Sequence, residues 1–294
     1  MTSGSTMARR ALGRELKRLR EAKRIRQSEG GRIIGVSPQT IGRMEDGLPT
    51  KVSDLYINTL CDAYDATAEE RRILLELAFE VRATHKAGGG WWRAYADQIR
   101  EGFDHYMGLE DSARSLSAWR LTLIPGLLQT PEYRRAIAWT ETPSAPTEEI
   151  EKRLEVLVRR QTRLNDPTFA VDVLLSEMTL RDQIGGVGVM AGQLLKLLEV
   201  SELPNVQVRV VPFGTGYLGS RTGSFVLLEF PKLPASGLLE PPVVYVEEYA
   251  GDLYLEREAE VKRYREAFAE ISRVALDHDT SRQFILSVAK EYGA

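Results

Sequence analysis

The sequence predicts two domains: an all-α head of about five helices, then an α/β (α+β) domain in which helices pack a small mixed sheet. Three observations support this fold class. The chain has 294 residues, more than one hydrophobic core usually organises. Apolar residues recur at helical spacing in the first part of the chain, and strand-like runs appear only after residue 168. We expect the head at 1–86, with 1–8 flexible, a Gly-rich linker at 87–90, and the second domain at 91–294.

Five helices are predicted in the head from periodicity and capping residues. In the first, Leu12, Leu16 and Leu19 recur at steps of four and three and form one apolar stripe. Gly35 can end the second helix in a left-handed conformation, and the hydroxyl of Ser37 can cap the free amides of the third. The predicted helices span about 8–23, 27–34, 37–46, 51–64 and 67–83.

Strands and helices are predicted to alternate in the second domain. Strand character is found in four runs, at 169–176, 206–211, 224–230 and 243–247. Helical periodicity is found at 91–120, 131–139, 147–164, 190–203, 256–276 and 280–292. Because a helical stretch separates the first two strands, they can form a parallel pair through a crossover connection.

The composition is that of a globular protein and excludes several functional classes. No run approaches the roughly 18 apolar residues of a membrane span, and the N-terminal residues lack the apolar segment of a signal peptide. We therefore expect a cytoplasmic protein without membrane contact. Cys61 is the only cysteine, which excludes an internal disulfide and a multi-cysteine zinc site.

Charge is distributed unevenly along the chain. Residues 1–53 contain 12 Lys and Arg and 5 Asp and Glu, whereas residues 54–294 contain 27 and 37. A basic head on an acidic second domain indicates that only the head meets a polyanion. The alternative is that the basic residues form a solvated helix face. They are Arg9, Arg10, Arg14, Lys17, Arg18, Arg20, Lys23, Arg24 and Arg26.

The second and third predicted helices are typical of a helix-turn-helix, whose recognition helix enters the major groove of DNA. Both are short, a tight glycine turn joins them, and the third begins with Ser37-Pro38-Gln39-Thr40, all four of which we expect in the DNA-binding site. Gln39 can pair bidentately with adenine, and the Thr40 methyl can contact that of thymine. Arg43, one turn further on, can contact a phosphate or a guanine edge. Ordinary helix surface is the alternative for each side chain.

Several positions of the head match a known family pattern. They are Leu16, Leu19-Arg20, Gln27, Glu29, Gly31, Ile34-Gly35-Val36-Ser37, Thr40-Ile41, Arg43, Glu45 and Gly47. From about Leu12 to Leu77 the head thus resembles the XRE-type repressor family. The resemblance implies that Gln27 grips a DNA phosphate and braces the recognition helix. It also implies that Arg20 and Glu45 form a buried ion pair between the first and third helices.

The head departs from that family in its second helix, where Gly30-Gly31 replaces the usual Leu-Ala. Gly31 suits a helix crossing that needs a small residue, whereas Gly30 removes an apolar side chain. Each glycine costs about 1 kcal/mol of helix stability relative to alanine. We therefore predict a second helix that is looser than usual, with Ile33 as compensation, and amide exchange of 27–34 tests this.

The second domain carries a further set of motifs. They are Trp91-Trp92, Pro125 to Tyr133, Arg181 with Gly185-Gly186, Met190-Ala191, Gln193-Leu194, Asn205-Val206, Val211-Pro212, Gly223-Ser224-Phe225 and Glu229-Phe230. Together these resemble, over about 91–284, a domain of unknown function that follows such heads in actinomycete regulators, including the WhiJ-like proteins. The resemblance implies a transcription regulator that works with a small partner protein encoded nearby. It supplies no active site.

Patterns for catalysis and metal binding are weak. The stretch from Gly186 to Ala191 superficially fits a dinucleotide fingerprint, but it does not directly follow a strand, so a turn into a helix explains it better. No second ligand stands at suitable spacing from the histidines, which are His85, His105 and His278. Glu247, Glu248 and Asp252 can seat a divalent ion or simply form a solvated acidic turn. We predict no enzyme activity, no metal and no cofactor.

A sequence-specific transcription regulator, acting as a repressor, is the expected function. One helix-turn-helix gives limited affinity, so we expect a homodimer that reads two half-sites about one turn of double-stranded DNA apart. The second domain is expected to mediate dimerisation and to bind the partner protein or a ligand. Aromatic residues at its start either line a pocket or form core; they are Trp91, Trp92, Tyr95, Phe103, Tyr106 and Trp119. Two alternatives are an adaptor with a vestigial head and a DNA-directed hydrolase that uses Glu247 and Asp252.

Overall fold

The computed structural model describes residues 7–86, 91, 92, 95, 99, 103–215, 221–233, 236–248 and 251–294. The chain forms two compact units. The first extends to Ser112 and also includes Phe230–Glu240, and the second consists of Ala113–Glu229 and Pro241–Ala294. The predicted linker at 87–90 and most of the predicted flexible N-terminus lie outside the described residues.

The described part of the first unit up to Ser112 is mainly helical. Its helices are α1 (Met7–Ala22), α2 (Gln27–Ile34), α3 (Pro38–Glu45), α4 (Asp54–Ala63), α5 (Ala68–Lys86) and α6 (Phe103–Ser112). The first five confirm the predicted helical head. Gly35 ends α2 with φ at 70°, a left-handed conformation that an L side chain rarely adopts. Ser37 caps α3, and Ser53 caps α4.

The core of the head is formed by apolar faces of α1, α3, α4 and α5. The stripe predicted in α1 is buried, as are the apolar residues that meet it. The buried residues include Leu12, Leu16, Leu19, Ile41, Met44, Ile57, Leu60, Cys61, Tyr64, Leu74 and Leu77. Burial raises the pKa of the Cys61 thiol, which therefore acts as a small apolar side chain.

The second unit contains a six-stranded mixed sheet. Its strands are β1 (Ser115–Arg120), β2 (Ala170–Ser176), β3 (Val206–Val211), β4 (Phe225–Glu229), β5 (Val243–Glu248) and β6 (Gly251–Leu255). The strand order is β3-β2-β1-β4-β5-β6. Strand β2 pairs with β1 and with β3 in parallel, whereas β4, β5 and β6 continue the sheet in antiparallel pairs. The predicted mixed sheet, with its parallel pair at 169–176 and 206–211, is confirmed.

Two strands were not predicted from the sequence. The periodicity at 91–120 predicted helix, but Ser115–Arg120 forms β1, in the middle of the sheet. Pairing with β2 on one side and β4 on the other overrides the helical pattern of this short segment. The edge strand Gly251–Leu255 was missed because it is short and has no fully buried residue, so it carries no apolar run of the kind that predicts a strand.

Helices cover the sheet of the second unit. They are α7 (Pro131–Glu141), α8 (Thr147–Gln161), α9 (Glu177–Arg181), α10 (Val187–Val200), α11 (Glu258–Val274) and α12 (His278–Glu291). Val261 and Ile271 of α11 pack in one core cluster with Trp119 and Phe225 of the sheet. Trp119 is therefore core, and Trp92 and Tyr106 of the first unit are also buried. Across the described ranges, the helices are too short or too polar to span a bilayer.

Candidate nucleic-acid interface

The start of α3 is held in place by its own cap. Ser37 Oγ accepts a hydrogen bond from the Thr40 amide at 3.2 Å and lies 3.0 Å from Thr40 Oγ1. Pro38 occupies the first turn, where its missing N–H removes no helical hydrogen bond. Ser37, Pro38 and Gln39 are exposed, and Thr40 is half-buried. The hydroxyl of Thr40 is thus engaged within the cap.

The opposite face of α3 is anchored in the head. Ile41 and Met44 are each only 2% exposed. Gly13 of α1 lies so close to the end of α3 that a Cβ there would be 2.6 Å from the Glu45 carbonyl oxygen. A side chain at this position would force α1 away from α3. The N-terminal end of α3 is therefore presented on a fixed support.

Glu45 connects three helices at the far end of α3. Its Oε2 accepts hydrogen bonds from Arg20 Nη2 of α1 and from Gln27 Nε2 of α2, each at 2.9 Å. Arg20 also donates to the Ile25 carbonyl oxygen at 2.7 Å. Both members of the ion pair are buried, with Arg20 at 7% and Glu45 at 6% exposure. A carboxylate paired and hydrogen-bonded in this way fixes α3 against α1 and α2.

The structure places Gln27 beside α3. A Cβ added to Gly42 would lie 3.4 Å from Gln27 Oε1, an ordinary van der Waals contact, so the glutamine amide lies directly against α3. Arg43 is exposed, and its Nη2 donates to the Pro49 carbonyl oxygen at 3.2 Å. Arg43 therefore lies along the segment after α3 rather than free in solvent.

Lys51 was not singled out from the sequence, whereas Arg26 was named among the basic residues of the head. Both side chains are exposed. Arg26 precedes Gln27 at the start of α2, and Lys51 follows Pro49, whose carbonyl Arg43 contacts. Exposed basic side chains thus stand next to Gln27 and two positions after Pro49 along the chain. The signal available in the sequence was a basic residue directly before α2 or in the loop after α3.

Other basic residues of the head are used within the protein. Arg18 contacts Glu15 and Glu70, and Lys23 contacts Asp65. Arg14 donates to Glu240, and Arg9 and Arg10 are buried. The basic run of α1 is therefore in large part neither a polyanion-binding surface nor a free solvated face. Most of its charged side chains are buried or form ion pairs within the protein.

The motif from Pro125 to Tyr133 has a structural role in the second unit. Gln193, which is fully buried, accepts from the Thr130 amide at 2.6 Å and donates to the Leu128 carbonyl oxygen at 2.8 Å. Gln161 donates to a further carbonyl of the same loop, that of Gln129, at 2.6 Å. Two glutamine side chains thus satisfy backbone groups that strand and helix pairing leave free.

Two of the residues considered for catalysis face each other, but among the described residues no metal-binding cluster forms around them. Glu247 and Asp252 stand opposite each other in the β5–β6 ladder. Among the described residues, no three His, Cys, Asp or Glu side chains are grouped to hold a metal ion. His278 lies 3.2 Å from the Ser201 carbonyl oxygen, and burial lowers the pKa of His105 to about 4, with a smaller effect of Arg10. The His85 side chain lies outside the described part of the chain.

Comparison with known proteins identifies both parts of the chain. Residues 11–74 match the family described as helix-turn-helix domain. Residues 103–287 match the family described as domain of unknown function (DUF5753). No curated protein and no solved structure matches the chain. A DNA-binding head is therefore joined to a domain without a known activity. Since the second match covers more than half of the chain, the chain belongs to the DUF5753 family.

Proposed function

We propose that this protein is a sequence-specific transcription regulator of the XRE type, acting as a repressor, with the WhiJ-like arrangement of domains. The observation that carries the proposal is the support of α3. One face of the helix is buried, its end is tied to α1 and α2 through Glu45, and its first turn is exposed. This is the arrangement that a helix needs in order to enter a major groove.

Each exposed side chain has a role in the proposed complex. Gln39 reads adenine through its amide, because its side chain is exposed at the helix start. The Thr40 hydroxyl is engaged with Ser37, which leaves its methyl group to contact thymine. Gln27, which lies beside α3, and Arg43, which is exposed on α3 itself, contact phosphates and set the position of the helix.

Dimerisation completes the proposed complex. Two copies of the helix-turn-helix bind half-sites about one turn of double-stranded DNA apart, which raises both affinity and specificity. The DUF5753 domain is proposed to hold the homodimer together and to bind a small partner protein or a ligand. The regulator acts in the cytoplasm, and we propose that it is not an enzyme.

The test is selection of binding sites from random double-stranded DNA with the full chain, followed by titration at several salt concentrations. Binding to the selected site should weaken steeply as salt rises. Gln39→Ala should lower discrimination at one base pair by about 1–3 kcal/mol, and Thr40→Ser should do so at a thymine while keeping the cap. Arg43→Ala should weaken binding to all sequences. Arg263→Ala, at an exposed position of α11, is the matched control and should change nothing.

No measurable DNA binding at low salt, in the presence or absence of a partner protein, would refute the proposal. An adaptor function would then be favoured. Nuclease activity that disappears in Glu247→Ala and Asp252→Ala would instead favour a DNA-directed hydrolase.

A further inference from the structure

A buried carboxylate from the DUF5753 part of the chain contacts α1 of the DNA-binding head. Glu240 is 1% exposed and ends the segment Phe230–Glu240, which belongs to the first unit. Its Oε1 accepts from Arg14 Nη2 at 2.6 Å, and its Oε2 accepts from Arg14 Nη1 at 3.1 Å. Arg10 Nε lies 3.5 Å from the same Oε2. We call these three residues the Glu240 clasp.

Described residues near the two ends of the segment that carries Glu240 pair with each other. Lys232 and Leu239 form an antiparallel bridge, and the Leu233 amide donates to the Leu238 carbonyl oxygen at 2.8 Å. At the other end of the segment, the Arg10 guanidinium lies over the Phe230 ring, 5.9 Å from its centroid. Both ends of the segment therefore contact α1.

Along the chain, the segment is continuous with the sheet. It begins directly after Glu229, the last residue of β4, and Pro241-Pro242 leads from it into β5. Two neighbouring strands of the family domain thus frame the segment that contacts the head. A displacement of either strand end is transmitted to this segment by the covalent chain.

On the other side of the clasp, α1 is in close contact with the recognition helix. Gly13, next to Arg14, lies against the carbonyl groups of Met44 and Glu45 at the end of α3. The Glu45 side chain is bound by Arg20, which is also on α1. Because backbone contacts this close leave no free space, α1 cannot shift along its axis without moving the end of α3.

We infer that Glu240 is a positioning residue for the recognition helix, and that it acts through α1. The inference rests on the proposed function, because it concerns how DNA binding is controlled. The clasp is suited to such control, since a buried carboxylate that faces two guanidinium groups has one strongly preferred geometry. Withdrawal of the carboxylate removes the Glu240 contacts of Arg14 and Arg10 and so weakens the present position of α1. A molecule that binds the DUF5753 domain and moves this segment thereby changes the affinity for DNA.

The experiment compares Glu240→Gln with Glu248→Gln in the full chain. Glu248 is exposed at the end of β5, so the same chemical change there is the matched control. Amide exchange in the free protein is the first measurement. We expect exchange in α3 to accelerate at least about fivefold in Glu240→Gln, the lower end of ordinary coupling between sites, with no change in Glu248→Gln. The second measurement is the ratio of affinities for selected and unrelated DNA, which should fall by a similar factor.

A second variant covers the case in which Glu240→Gln does not fold. Glu240→Asp keeps the charge but is shorter, so it should fold and show a smaller change in α3. Equal exchange in α3 of the wild type and both variants would overturn the inference. So would an equal acceleration in all helices of the head, because that indicates a purely structural ion pair. If the wild type binds no DNA, the proposed function fails, whereas the exchange measurement still decides the role of Glu240.

Discussion

Gly30 of α2 lies against a buried tyrosine, and its replacement by alanine should destabilise the head. A Cβ at Gly30 would be 2.6 Å from Tyr64 Oη, whereas the next atoms, Tyr64 Cζ and Arg20 Cδ, would be 3.8 and 3.9 Å away. The overlap therefore involves one oxygen atom. Tyr64 is 2% exposed, and burial raises its pKa to about 12, so the hydroxyl has no easy route into solvent.

The sign of the effect follows from two opposing magnitudes. In an open helix, glycine to alanine gains about 1 kcal/mol of stability. Forcing a methyl group into a packed site costs about 1–3 kcal/mol. We expect the cost of the overlap with the buried Tyr64 hydroxyl to exceed the gain in helix stability, so that Gly30→Ala lowers the unfolding free energy by about 1 kcal/mol. With Tyr64→Phe in place the overlap disappears, and Gly30→Ala should then raise the unfolding free energy by about 1 kcal/mol.

Amide exchange in α2 and α3 of the wild type, both single variants and the double variant measures these differences. Gly31→Ala is the control, because its Cβ would be 2.6 Å from the Val36 carbonyl oxygen and no side-chain change relieves that contact. The reasoning is refuted if Gly30→Ala stabilises the wild type, or if Tyr64→Phe leaves the sign unchanged. The same exchange rates test whether α2 is looser than α3, as its glycines predict.

Two further predictions concern a helix cap and a buried glutamine. Hydrogen bonds from Arg18 and Thr67 lower the pKa of Glu70 from 4.5 to about 2, so Glu70 contributes stability above pH 4.5 that is lost as the pH falls toward 2. The unfolding free energy of the wild type should exceed that of Glu70→Gln by about 1 kcal/mol at pH 7, and a difference that does not shrink in acid refutes this. Gln193→Leu leaves two backbone groups unpaired and should lower the unfolding free energy, measured by chemical denaturation, by about 2 kcal/mol or more. The control Gln207→Leu, on the exposed side of β3, should lower it by less than about 0.5 kcal/mol. Equal losses would contradict the role of Gln193.

The ends of α2 and α3 could be predicted because the residues that set them act within one turn. Gly35 adopts the left-handed conformation that ends α2, and Ser37 bonds the amide three residues later. The exposed positions of Gln39 and Arg43 follow from the same helical period that buries Ile41 and Met44. Local geometry and periodicity are therefore sufficient for this part of the candidate interface.

The unit boundaries and the middle of the sheet required long-range contacts. Ser115–Arg120 has no local feature that prevents a helix, and it becomes β1 because β2 and β4 pair with it on both sides. The cost of a side chain at Gly30 depends on Tyr64, which is 34 positions away along the chain. Neither the strands that pair with β1 nor the tyrosine that faces Gly30 can be identified from the hydrophobic period, because many residues share the same apolar pattern.

The sequence by itself determined a helical head with a capped recognition helix, and a second domain with a mixed sheet. Caps, turns and apolar periods involve residues a few positions apart, so they can be recognised in a single sequence. Only the tertiary structure decided that Arg14 of α1 pairs with Glu240, which lies 226 positions away along the chain. A buried charge pairs with the opposite charge that lies near it in the folded chain, and which residue that is depends on the fold as a whole.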